Sequence, residues 1–383
     1  MVETITPARL RDWIDERRSF ALLDTRPDES YDAWHIRDAI QYRYKPDFEF
    51  DPAEFRAQTG LSSDDAIVTI CAKGVSSFDI AKRLEDSGYG NVTVVEGGMQ
   101  GWSEVYDIVD VTTAGDVEIV QFQRRAKGCL GYLVADPAAE VAAVVDATRH
   151  IEEFAALATD RGYTIESVLD THVHADHLSG GRELADRVGA TYYLGAGASD
   201  RGVTHDYRPL ERNEVVGVGD VDVKAVPTPG HTSEAVSYLV DAEAVLTGDT
   251  LFVDSVGRTE LQFGEGDAAE GAKLLYDSLH RTLLSEPDSI TVLPGHFAID
   301  ADGTTAVTPG EPVTATIRGV RTGVDLLAVD RETFVSRVTG SVPEKPPNYE
   351  AIIDVNAGRE TPGDEQRTIE LELGPNNCAA TGD

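Results

Sequence analysis

The stretch Thr171-His172-Val173-His174-Ala175-Asp176-His177 constrains this chain more than any other. From His172 to His177 it holds three imidazoles and one carboxylate. A single histidine is readily a packing or surface residue. A packed cluster of polar groups is costly to bury without compensation, and metal coordination is the common one. The preceding Glu166-Ser167-Val168-Leu169-Asp170 reads as a short strand, and the following Ser179-Gly180-Gly181-Arg182-Glu183-Leu184 as a loop opening a helix. The cluster thus sits at a strand end, where ligands can converge. A metal site is the reading adopted; the bland alternative is a histidine-rich loop that holds none.

Three further polar residues follow apolar strands in tight turns. Val223 to Val226 leads into Pro227-Thr228-Pro229-Gly230-His231, Ala244 to Leu246 into Thr247-Gly248-Asp249, and Ile290 to Leu293 into Pro294-Gly295-His296. One histidine after Pro-Gly can be a turn residue. Three strand ends placed like the cluster point to a shared centre. Upstream, 118–122, 131–136 and 141–146 read as strands and 151–161 as a helix. Cys129, at the edge of the second of these strands, reads as a small core residue. His35, His150, His205 and His280 have no such setting and read as surface or packing residues.

The first hundred residues alternate strands and helices, which implies a parallel sheet with helices on its faces. Thr6-Pro7 is a helix start, Phe20 to Asp24, Ala66 to Ile70 and Asn91 to Val95 are strands, and helical spacing runs from Ser77 to Leu84. Cys71 follows the second strand and opens Cys71-Ala72-Lys73-Gly74-Val75-Ser76-Ser77. A loop entering a helix points backbone N–H groups inward, so a sulfur there is favoured as thiolate, with Lys73 as a further source of positive charge. The plain alternative is a free cysteine in a buried loop.

At 383 residues the chain is long for one core, which favours two domains. Acidic residues number 68 against 33 basic, for a formal charge of -35, and only 7 of the basic residues are lysine. That surface repels nucleic acid and anionic membranes and resembles proteins of salt-loving organisms. With no apolar run near 20 residues and no secretory pattern at the start, a cytoplasmic location is expected. Cys71, Cys129 and Cys378 are odd in number and far apart, so no disulfide framework is implied.

Three segments around the cysteine loop carry a resemblance: Leu23 to Tyr31, His35 to Ile40, and Glu96-Gly97-Gly98-Met99-Gln100-Gly101-Trp102. Together they resemble a single-domain rhodanese, which implies that Cys71 accepts sulfane sulfur as a persulfide. Lys73 stands where an arginine is usual. The later turns resemble the metallo-β-lactamase superfamily, and all seven of its usual ligand positions are filled: His172, His174, His231, Asp249, Asp176, His177 and His296. The implied architecture is α/β followed by α+β. A rhodanese-like α/β domain (1–110) precedes an αββα sandwich (115–300), with a linker over 109–116. A C-terminal extension (301–370) packs on the metal domain, and 371–383 forms a mobile tail that includes Cys378.

Two branches of the superfamily fit. The persulfide dioxygenase type oxidises a low-molecular-weight thiol persulfide with O2 to sulfite and thiol. It resembles this chain in Val256-Gly257-Arg258-Thr259-Glu260-Leu261-Gln262 and, more loosely, in Pro347 to Gly358, whose plain reading is an irregular surface strand. Pro294-Gly295-His296 departs from the usual Pro-Ala-His. This resemblance implies one Fe(II) per chain on His172, His231 and Asp249, with His174, Asp176, His177 and His296 around them. It also implies Arg258 as a holder of the substrate carboxylate, a surface arginine being the alternative. The other branch is the glyoxalase II type, a hydroxyacylglutathione thioester hydrolase with two Zn(II) per chain. A sulfane-sulfur carrier beside a persulfide oxidase makes chemical sense and favours the first. A homodimer is left open, and so is an inert metal domain serving as a sulfur relay, which the intact ligand set disfavours.

Overall fold

The computed structural model describes residues 2–340, 345–376 and 379–380. Its first domain is built on five parallel strands, β1 (Glu3–Ile5), β2 (Ala21–Asp24), β3 (Ile40–Gln41), β4 (Ile67–Ile70) and β5 (Val92–Val95), in the order β1-β5-β4-β2-β3. Between them lie α1 (Pro7–Asp15), α2 (Asp28–Ala33), α3 (Pro52–Thr59) and α4 (Val75–Asp86), and α5 (Gly98–Trp102) follows β5. α1 starts as the sequence predicts: Thr6 Oγ1 accepts the Arg9 N–H at 3.1 Å, and Pro7 lies in the first turn, where its missing N–H is not needed. Phe55 of α3 and Ile80 and Leu84 of α4 fill one face of the sheet. Leu10 of α1 and Met99 and Trp102 of α5 fill the other. β4 is buried along its whole length, as a parallel strand covered on both faces must be.

The second domain is a sandwich. One sheet runs β6 (Tyr106–Val111), β7 (Glu118–Arg124), β8 (Leu130–Asp136), β9 (Val141–Val145), β10 (Thr164–Leu169), β11 (Thr191–Gly195) and β12 (Arg208–Leu210), in that spatial order. Its outer face carries α6 (Ile151–Asp160) and α7 (Gly181–Val188). The other runs β13 (Val215–Val218), β14 (Val221–Pro227), β15 (Val236–Val240), β16 (Ala244–Gly248), β17 (Thr291–Pro294) and β18 (Ala315–Thr316). Its outer face carries α8 (Glu260–Arg281), α9 (Ile317–Gly323) and α10 (Arg331–Gly340). Between the sheets, Ile119, Tyr132, Val134 and Val145 meet Val223, Tyr238, Leu246 and Leu293 in one buried cluster. Each such side chain contributes roughly 1.5–3 kcal/mol by leaving water. Helices α11 (Tyr349–Asn356) and α12 (Glu365–Leu371) close the described chain. No helix among the described residues is long and apolar enough to cross a membrane.

Three expectations change, and one alternative is set aside. The linker over 109–116 is instead the hairpin turn between β6 and β7, which pair antiparallel from Tyr106–Arg124 to Val111–Ile119. The first domain therefore ends near Ser103–Val105 rather than at 110. The extension from 301 is partly integral, since β18 adds to the second sheet through Thr291–Thr316. The alternative set aside is the surface strand at Pro347 to Gly358, where Tyr349–Asn356 is helix α11 with Ile352 fully buried. Residues 371–376, expected in a mobile tail, are pinned by buried polar contacts; Cys378 lies outside the described residues.

Glu372 shows why. It is 1% exposed, with Oε2 at 2.6 Å from Arg149 Nε and 3.1 Å from Arg124 Nη2, while Oε1 accepts the Leu178 N–H at 2.7 Å. Burial raises its pKa, but Arg124 and Arg149 outweigh burial and hold the carboxyl at about 2. A depressed carboxylate pKa stabilises the fold above the unfolded value and is lost as pH falls through the folded one. Glu372→Gln should therefore cost about 3 kcal/mol or more at neutral pH. Its deficit in denaturant midpoint should shrink as pH falls from 4.5 toward about 2. A deficit independent of pH would contradict this.

Candidate metal centre and cysteine loop

The histidine cluster forms a loop between β10 and α7, held from several sides. Asn356 Nδ2 donates to the carbonyls of His174 at 3.0 Å and His177 at 2.8 Å, and its Oδ1 accepts the Ser179 N–H at 2.9 Å. Glu234 Oε1 accepts the Val173 N–H at 3.0 Å, and Asp146 Oδ1 accepts the Thr171 N–H at 2.7 Å. β14, β16 and β17 end beside this loop and deliver His231, Asp249 and His296. The departure at Gly295 has a local cause: a Cβ there would lie 2.5 Å from Asp249 Oδ1, so alanine does not fit this arrangement.

The seven expected ligands do not gather on one point. His172, His231 and Asp249 offer ligand atoms within 4.8 Å of one another. Asp249 Oδ2 lies 3.8 Å from His172 Nε2 and 3.6 Å from His231 Nε2. Asp176, His177 and His296 form a neighbouring group that also includes Cys129. His174 belongs to a third group, with Nε2 at 3.3 Å from Asp146 Oδ1 and Asp170 close by. All of these residues are buried.

Hydrogen bonds fix which atoms face the triad. Thr171 Oγ1 donates to Asp146 Oδ2 at 3.0 Å, so it accepts from His172 Nδ1 at 2.9 Å and leaves Nε2 as the bare nitrogen. The Arg258 carbonyl can only accept, so His231 Nδ1 donates to it at 2.7 Å and Nε2 is again bare. His296 Nδ1 takes Asp249 Oδ1 at 2.6 Å, leaving Asp249 Oδ2. His172 Nε2 and Asp249 Oδ2 are buried without hydrogen-bond partners. Burial, then the charge of His174, pushes the His172 pKa well below its ordinary value, so the ring is neutral and ligand-ready. Burial raises Asp249, but the charge of His296 and its hydrogen bond to Oδ1 outweigh it and keep the carboxylate ionised. Buried donors of this kind, with His172 Nε2 and Asp249 Oδ2 orphaned, suit one cation bound by two imidazoles and a carboxylate.

His296 is doubly engaged. Its Nε2 lies 2.8 Å from Asp176 Oδ2, so both ring nitrogens face carboxylate oxygens, which only accept. Asp176 Oδ2 also accepts from Cys129 Sγ at 3.2 Å. Cys129 is buried as expected, yet it touches the metal-site residues; its place before a strand carried no signal of that. Arg258 is neither a surface arginine nor open to substrate. It is 1% exposed and its guanidinium pairs with Glu260.

Cys71 sits at the carboxyl edge of the first sheet and is 3% exposed. Its sulfur accepts from the Gly74 N–H at 3.1 Å and the Ser77 hydroxyl at 3.3 Å. Burial raises the thiol pKa, but the Ser76 and Ser77 hydroxyls and the Ser77 and Lys73 backbone N–H groups outweigh it, and the net shift is downward. Lys73 thus contributes through its backbone, and its side chain is exposed. The loop rests on the Gly97-Gly98 turn, where Met99 N–H donates to the Cys71 carbonyl at 2.7 Å. Gly98 has φ +58, and a Cβ there would lie 2.1 Å from that carbonyl oxygen.

Ser77→Ala should raise the Cys71 pKa and slow its alkylation by iodoacetamide at pH 7 several-fold. An unchanged pH profile of alkylation would show that the hydroxyl does not hold the thiolate.

Residues 6–105 match the Rhodanese-like domain family and residues 125–296 the Metallo-beta-lactamase superfamily. The chain is 32% identical over 224 residues to a hydroxyacylglutathione hydrolase of Brucella anthropi, covering 58% of this chain and 81% of that one. It is 31% identical over 184 residues to the protein of the same name from Brucella ovis, covering 48% of this chain and 64% of that one. Among solved structures it resembles ETHE1 from Myxococcus xanthus, at 28% identity and TM-score 0.54 over 63% of this chain and 98% of that one. A metallo-beta-lactamase from Staphylococcus aureus shares the fold at 24% identity and TM-score 0.58, over 64% of this chain and 74% of that one. The chain belongs to the metallo-beta-lactamase superfamily and carries a rhodanese-like domain ahead of its sandwich.

Proposed function

We propose that this protein is an iron-dependent persulfide dioxygenase coupled to a rhodanese-type sulfur carrier. The observation that carries the reading is the separation of the ligands: His172, His231 and Asp249 converge, while His174 turns to Asp146. Two imidazoles and one carboxylate with open positions suit non-haem Fe(II), whereas a dinuclear hydrolytic centre uses the other ligands as well. The likeness to ETHE1 supports the same branch.

Fe(II) bound there supplies the oxygen chemistry. The terminal persulfide sulfur loses four electrons to O2; one persulfide anion, one O2 and one water give the thiolate, sulfite and two protons. The chain's residues hold the site for this. Thr171 and the Arg258 carbonyl fix the tautomers of His172 and His231, and His296 fixes the rotation of Asp249. Arg258, folded onto Glu260, serves by positioning its own carbonyl. Cys71 carries sulfane sulfur as a persulfide. It either delivers that sulfur toward the iron site or passes it to sulfite, forming thiosulfate.

The second reading is a dinuclear thioester hydrolase. It is favoured by the names of the Brucella relatives and by the group Asp176, His177 and His296 beside the triad. Protein purified without chelator and given glutathione persulfide should consume O2 and form sulfite in equal amounts, and His231→Ala should reduce both to background. No O2 uptake, with hydrolysis of a lactoyl thioester instead, would establish the hydrolase.

A further inference from the structure

We infer that residues 372–376, with Ala379 and Ala380, form a strap that positions the metal-site loops and fixes the sulfur-carrier domain to them, with Glu372 as the positioning residue. The inference does not depend on which reaction the metal centre performs.

The strap has anchors on both flanks of the site. At its start, Glu372 Oε1 accepts the N–H of Leu178, the residue after His177, at 2.7 Å. The arginines that pair with Glu372 reach into the first domain: Arg124 Nε donates to the Ser103 carbonyl at 2.7 Å, and Arg149 Nη2 lies 3.1 Å from Glu104 Oε1. Arg149 also donates its backbone N–H to the Leu178 carbonyl at 2.9 Å. One buried carboxylate therefore joins the exit of the carrier domain to the end of the histidine loop. Two residues on, Gly374 packs so closely on Trp34 of the carrier domain that a Cβ would lie 3.3 Å from the ring, and its carbonyl accepts from Lys127 Nζ at 3.3 Å. Asn376 donates its backbone N–H and Nδ2 to the Lys127 carbonyl at 3.0 and 2.6 Å.

The far anchor reaches the opposite flank. Ala380 N–H donates to the Val256 carbonyl at 2.8 Å, and Ala379 pairs with Gly257. Gly257 in turn abuts the Asp249 carbonyl and His231 Cβ. On the near side, Gly128 and Cys129 follow Lys127, and Cys129 pairs with His296. The strap thus touches the residue after His177 directly, and reaches His296 through Lys127 to Cys129 on one side and Asp249 and His231 through Gly257 on the other.

The energetics favour positioning over bulk stability. A buried carboxylate with two arginines is often no more stable than apolar residues of the same volume, but it fixes one geometry when every member is satisfied. Here both oxygens of Glu372 are engaged, Oε1 by the loop N–H and Oε2 by the two domain-bridging arginines.

The test uses the full-length chain loaded with Co(II) and two variants. Glu372→Gln removes the charge, and Asn376→Ala weakens the later anchor without stranding a buried charge. In both, Co(II) should leave to a chelator about ten-fold or more faster than in wild type, with an altered visible d–d spectrum, as for lost partners of metal ligands. Glu372→Gln should also split the single calorimetric transition expected of wild type into two. Should Glu372→Gln not fold, Asn376→Ala carries the metal test alone. Wild-type release and spectrum in Asn376→Ala would overturn the strap, and faster release with one undivided transition in Glu372→Gln would overturn the domain coupling.

Discussion

A carboxylate has two oxygens, and Asp249 commits them differently. Oδ1 is taken by His296 at 2.6 Å, and Oδ2 is left buried, unpartnered and facing two bare imidazole nitrogens. A bare oxygen in a dry interior is costly unless a cation completes it. The rest of the site serves that arrangement. Gly295 leaves room for Oδ1, Thr171 and the Arg258 carbonyl set the tautomers, and Asn356 holds the loop that presents His172. His296 is also engaged with Asp176, and His174 lies 3.3 Å from Asp146, so neither joins the group of His172, His231 and Asp249.

The candidate ligands were legible in the sequence because metal chemistry requires polar side chains at strand ends, and such residues stand out against apolar runs. Cys71 was legible for the same reason, lying after the fully buried β4. What escaped was long-range. Asn356, Glu372 and Cys129 act on the histidine loop from 182, 194 and 47 residues away, through partners that no local pattern identifies. Asn356 lay within a segment that resembled a family motif, but its role depends on α11 being a helix packed under the loop. β6 was misplaced because the turn after it, Thr112 to Gly115, has the composition of a linker; only its pairing with β7 assigns it to the sandwich. Arg258 was expected to hold the substrate carboxylate because its segment resembles that of the dioxygenases, yet it is buried and paired with Glu260 two residues on.

In the proposed function the two domains place different sulfur chemistry on different scaffolds. The carrier loop stabilises a thiolate with donors and keeps its charge chemistry local, through hydroxyls and backbone N–H groups rather than through Lys73. The candidate metal centre uses the neutral imidazole of His172 and the ionised carboxylate of Asp249, both buried. Between them lies an ion cluster of Arg124, Arg149 and Glu372, shared by both domains. On the proposed function, a persulfide handed from one centre to the other needs the two held in a fixed relation, and this cluster is a physical means of doing so.

The central claim is that three side chains hold one cation and that His174 is not among them. The direct measurement is the metal content of the wild-type chain and of His174→Ala and His231→Ala, each purified without chelator. One iron per chain in the wild type and in His174→Ala, with loss of iron in His231→Ala, is the expected result. Two metals per wild-type chain, or loss of the metal in His174→Ala as complete as in His231→Ala, would contradict it.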